Sequence, residues 1–216
     1  MKKLVFLTLL LFQFTTSFSQ TENYRGKMKE LIAKIDSYND AETLTNLAIT
    51  FEQVGDAEQT QWLPYYYGAY FTLMAANMKT MGQQNASITD PAADKAEVLL
   101  NKALALTKEN SEIFCIKKMV ATMRMMGDPM NRYLQYGLAS SEALERAKEM
   151  NPDNPRVYLL EGQDKFYTPE QFGGSKAEAK VLFEKAQQLF NTFEPETELH
   201  PTWGKPTVQY FLTELK

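Results

Sequence analysis

Ala96-Glu97-Val98-Leu99-Leu100-Asn101-Lys102-Ala103 places a large apolar residue four positions after a small one and an alanine three positions beyond that. The same small-x3-large-x2-Ala spacing returns at Ser140, Leu144 and Ala147 and again at Ala179, Phe183 and Ala186. Offsets of four and three lie on one face of an α-helix, and small residues on that face let a second helix approach closely. Three helices built to the same packing rule predict an all-α chain of stacked helix pairs.

The rest of the chain agrees. Met28, Leu31, Ile32 and Ile35 fall at i, i+3, i+4 and i+7, as do Leu44, Leu47, Ala48 and Phe51, with charged residues filling the opposite faces. Helix starts are signalled by Asn39 with Glu42, by Asp90-Pro91, Asp128-Pro129 and Asn154-Pro155, and by the capping box Ser175 with Glu178. No segment alternates as a strand before a hairpin turn. The expectation is about nine helices and no sheet, the last of them a capping helix on Val208, Phe211, Leu212 and Leu215.

These spacings resemble the second helix of the tetratricopeptide repeat. After Ala147, the residues Pro152, Tyr158 and Gly162 stand where that family has its closing proline, an aromatic and a small residue. The resemblance covers Trp62 to Phe190. It implies a right-handed solenoid of antiparallel helix pairs whose inner groove binds a protein or peptide partner, with Tyr65 or Tyr66, Met119, Met123, and Phe166 or Tyr167 facing the groove. Spacings longer than the family's put extra residues between the two helices of three pairs, around Gln83 to Thr89, Asp128 to Tyr136 and Thr168 to Gly174. Phe172-Gly173-Gly174-Ser175 also resembles exported repeat proteins associated with TRAP-type solute transporters.

Residues 1–19 read as a signal peptide: Lys2 and Lys3, an apolar run from Leu4 to Phe12, and small residues at Ser17 and Ser19. The run is too short for a spanning helix. The expectation is an exported, periplasmic or secreted protein, residues 20–216 forming a single domain, with no cysteine at the cleavage site to carry a lipid. Without Lys2 and Lys3 the 23 basic residues fall to 21 against 27 acidic ones, a net charge of −6. That field disfavours nucleic acid and anionic membranes as partners. Hydrophobic residues make up 44% of the chain, enough to bury one core.

Few residues suggest chemistry. His200 is the single histidine and has no evident partner for catalysis, so it reads as a loop residue. Cys115, the single cysteine, allows no intrachain disulfide and reads as a buried apolar residue or a groove residue. Met119, Met123, Met126 and Met130 follow helical spacing and read as core, as a pliable groove wall or as soft ligands for Cu(I). Trp62, Tyr65, Tyr66, Tyr67, Tyr70 and Phe71 crowd one helix and point several ways around it, so some of their hydroxyls are expected to reach solvent or a partner. No phosphate-cradling loop, metal-ligand spacing or paired-carboxylate motif is present. The expected function is a non-enzymatic scaffold without cofactor or metal; the alternative is a small-molecule carrier or transporter accessory with a closed pocket lined by aromatic residues and methionine.

Overall fold

Four side chains set where helices begin. Asp40 accepts from the Thr43 amide at 2.8 Å, Asn110 from Ile113 at 3.0 Å, Asn154 from Arg156 at 3.0 Å and Ser175 from Glu178 at 3.2 Å. Each satisfies a backbone N–H that has no partner within its helix. The computed structural model describes residues 22–33 and 40–216, so the expected signal peptide lies outside the described residues.

In order, the helices are α1 (residues 22–32), α2 (Ala41–Glu58), α3 (Leu63–Thr80), α4 (Ala86–Leu104), α5 (Ser111–Gly127), the short α6 (Pro129–Arg132), a π-turn (Tyr133–Gly137), α7 (Leu138–Met150), α8 (Pro155–Tyr167), α9 (Lys176–Thr192) and α10 (Lys205–Glu214). A 3-10 turn at Glu170–Phe172 precedes α9. Among the described residues there is no strand, and the chain is all-α as expected. No described helix is long and apolar enough to cross a membrane.

Two expected helix starts move. Asp40, rather than Asn39, caps α2. Pro91 lies inside α4 rather than at its start, because Asn85 already caps the helix: its carbonyl accepts from the amides of Ile88 and Thr89. Of the extra residues around Gln83 to Thr89, those up to Asn85 lie in the short α3–α4 link and the rest extend α4, while those around Asp128 to Tyr136 form α6 and the π-turn. Thr168 to Gly174 forms a loop around the 3-10 turn, closed where the Ser175 amide donates to the Lys165 carbonyl at 2.9 Å.

Helices α2 to α5 pack each on the next, α7 packs chiefly on α5, α8 packs on α9 and α9 on α10, and α3, α5 and α8 also touch in succession. The repeated small and large positions make these contacts: Ala96, Ala103, Ala147, Ala179, Ala186 and Phe183 have no exposed surface, and Leu100, Ser140 and Leu144 are buried beside them. Gly162 fits the same logic, since a Cβ there would stand 2.6 Å from the Phe183 ring.

Helix α3 is buried on all sides from Leu63 to Phe71, with Tyr65, Tyr66, Tyr67, Tyr70 and Phe71 all in the core, and is exposed at Asn77, Met78 and Lys79. Contrary to expectation, the hydroxyls of Tyr65, Tyr66 and Tyr67 are satisfied within the chain. Tyr65 donates to Asp56 at 3.0 Å, Tyr66 to Glu112 at 3.0 Å and Tyr67 to the Leu199 carbonyl at 3.1 Å. At the far end α10 closes the core by stacking Phe211 on Phe183 at 4.6 Å, which matches the expected capping helix.

Candidate functional site

The six residues expected to share an inner groove do not form one open surface. Tyr65, Tyr66 and Met123 are buried, Met119 and Phe166 are half-buried, and Tyr167 is 69% exposed. The chain's own segment Phe193–Gly204 covers the aromatic face. Trp203 stacks on Tyr70 at 4.6 Å and donates its indole N–H to the Tyr66 hydroxyl at 2.8 Å, while His200 sets its ring edge-on to Trp62. Burying apolar surface drives this closure. Phe166 and Tyr167 meet Phe211 instead, with ring centroids 5.0 and 5.8 Å away.

Beneath the segment lies a polar knot that the sequence did not reveal. Arg156, with no exposed surface, meets Glu112 through Nε at 2.9 and 3.0 Å and through Nη2 at 2.7 Å, and its guanidinium carbon lies 4.6 Å from the Phe193 ring centroid. Asn154 adds a third donor to Glu112 at 2.8 Å. Burial, with Glu112 beside it, holds the Tyr66 phenol well above its ordinary pKa. Burial pushes the Cys115 thiol up in the same way, so it is a sealed, protonated core residue. Met130, at 88% exposed, departs from the buried Met123 because the helix breaks at Asp128-Pro129 as expected.

The open concavities lie elsewhere. One, of about 390 Å³, is formed by α2, α3 and α4. Small side chains make the space: Ala48 on α2, Ala75 and Ala76 on α3 and Ala92 on α4, flanked by Ile49 and Ile88. Lys79 and Lys95 stand at its rim. The Lys79 ammonium donates to Thr45 Oγ1 at 3.2 Å and has no acidic partner among the described residues. Lys95 pairs with Glu52 at 2.6 Å. Burial alone would raise the pKa of Glu52, but hydrogen bonds from Lys95 and Lys102 outweigh it and keep the carboxylate ionised. No histidine, cysteine, methionine or tyrosine lines this groove.

A second concavity, of about 380 Å³, lies between α4, α5 and α7. Leu100, Val120 and Ala121 line it, with the rings of Phe114 and Tyr136 and the cations Lys117 and Arg124. Neither concavity is the closed pocket of aromatic residues and methionine expected for a carrier; both are open, and the first is walled mainly by alanine and isoleucine. Sequence reading missed them because a groove of small residues has the same pattern as close packing. The available signal was Ile49 and Ile88, apolar residues standing off the buried stripes of their helices.

No protein-family model matches the chain, and no curated protein matches it. A solved structure does: the HusA haemophore from Porphyromonas gingivalis, 33% identical, with a TM-score of 0.78 over 89% of this chain and 92% of that one. This likeness favours a small-molecule carrier over a peptide-binding adaptor.

Proposed function

Since the chain belongs to the family of the HusA haemophore, we propose that it is an exported, non-catalytic carrier of a haem-class ligand held in the α2–α3–α4 groove. The likeness over nearly the whole of both chains is the observation that carries this reading. The groove supplies the chemistry. A flat macrocycle with carboxylate arms needs apolar contact for its face and cations for its arms. Ala48, Ala76, Ala92, Ile49 and Ile88 offer the first, and Lys79 and Lys95 the second. With none of the usual iron-ligating side chains on its walls, this groove holds cargo by contact and charge. Its openness suits loading and release, since the exposed edge of the ligand stays available to a receiving site.

Lys79 is the anchor of choice because it has no carboxylate partner among the described residues to give up. Haemin titrated into residues 20–216 should shift its Soret band and saturate. Lys79→Gln should weaken binding roughly tenfold, the scale of a charge-assisted contact of about 1.5 kcal/mol, and leave the melting temperature unchanged. An unshifted Soret band in the wild-type chain would remove the carrier reading; a shift indifferent to both Lys79→Gln and Ile49→Glu would place the cargo in another part of the molecule.

A further inference from the structure

We propose that the concavity between α4, α5 and α7 is a second binding site for the same flat, carboxylate-bearing class of ligand, so that one chain carries two molecules of cargo. This rests on the carrier reading and extends it to a surface that reading does not use.

Helix α4 is shared by both concavities. Ile88, Pro91, Ala92 and Lys95 line the first, whereas Glu97, Leu100 and Asn101 line the second. At about 100° per residue these two sets are centred on opposite faces of the helix. The concavities are therefore separate, divided by one helix about 10 Å across. Their volumes, about 390 and about 380 Å³, are nearly equal, as expected when successive helix triplets are built to the same spacing.

The second concavity offers apolar and aromatic contact for a flat ligand and two cations, Lys117 and Arg124, for its carboxylates, opposite the lining carboxylates Glu97 and Glu142. Phe114 and Tyr136 offer half-buried ring faces for stacking. Tyr136 is presented by the π-turn that follows α6, so the segment that departs from the repeat spacing completes this site. π-turns inside helical segments are frequent at functional sites. The Lys117 ammonium lies over one face of the Phe114 ring, 4.4 Å from its centroid, and also lines the concavity. Its acidic partner, Glu109, is 3.2 Å away and half exposed. Arg124 meets Asp94 and Glu97, each at 2.7 Å, and both carboxylates are more than half exposed. The Lys117–Glu109 pair lies at the surface and contributes little, so a ligand carboxylate exchanges for Glu109 at small cost, whereas Arg124, 18% exposed, keeps its two carboxylates and adds its charge to the site's edge.

The test is haemin titration of residues 20–216 with stoichiometry read at the Soret band and by circular dichroism across it. Wild type should take up two equivalents, and the second should add a two-signed band from coupling between two bound chromophores. Ala139→Glu, on an exposed residue of α7 lining the second concavity, should leave one equivalent and abolish the two-signed band. Ile49→Glu should remove the other equivalent, and the double variant should bind none; far-ultraviolet circular dichroism checks that each variant keeps its helices. Saturation of wild type at one equivalent, lost in Ile49→Glu and untouched by Ala139→Glu, would overturn the second site and leave the carrier standing. No uptake by wild type would overturn both.

Discussion

At the scale of single residues, the Arg156–Glu112 pair is the most consequential contact in the core. Removing one member leaves a buried charge without its counter-charge, so Arg156→Ala should cost about 3–5 kcal/mol in urea unfolding. Replacing both, as Arg156→Met with Glu112→Leu, should cost less than the single change, because burying two charges is itself unfavourable. A double variant as unstable as the single would show that Asn154 and Tyr66 depend on the carboxylate. His200 gives a pH signature. Burial holds its pKa below the ordinary value, outweighing Glu196 3.3 Å away. The unfolded chain therefore binds this proton more readily, so the stabilisation is complete above pH about 6.5 and is lost as pH falls towards the folded pKa. Melting temperatures should drop from about pH 8 to about pH 5, and His200→Gln should flatten the profile. Equal slopes for the two proteins would assign the dependence to other groups.

At the scale of elements, the packing helices were legible because their rule is local. Small and large residues at offsets of four and three specify a face, and the structure buries every one of those positions. Ala186→Glu should force a charge into that contact, costing several kcal/mol and lowering the melting temperature on the order of 10 °C. An unchanged melt would contradict the packing of α9 on α8. The course of the Phe193–Gly204 segment was not legible. Leu199, His200 and Trp203 have no periodicity, and their destination on Trp62, Tyr66, Tyr67 and Tyr70 is set by contacts more than a hundred residues away in sequence. Separation along the chain, here 44 residues, also hid the Arg156–Glu112 pair, which joins α5 to α8. The open grooves were hidden for another reason: alanine in a helix face marks close approach whether or not a neighbour fills the space.

At the scale of the molecule, that segment determines which surfaces are available for binding. It turns the aromatic face of α3 into core, while the concavities beside α4 stay open. A chain ending at Phe190 should expose Tyr66, Tyr67 and Tyr70, bind a dye for apolar surfaces such as ANS and melt well below the full protein. A truncated chain that melts like the full one and binds no dye would show that the segment is only a surface covering. The first described helix is tied to the same segment: Glu198 pairs with Arg25 at 2.7 Å and with Lys29 at 2.8 Å.

The sealed thiol of Cys115 has a practical consequence. It is the chain's one cysteine and has no exposed surface, so maleimide reagents find no target on the folded protein. A cysteine placed at Ser87 or at Glu142, exposed beside the two concavities, then becomes a unique attachment point. A fluorophore on either one would be quenched only when the adjoining groove fills, turning the protein into its own optical gauge of which side of α4 is loaded, and in what order.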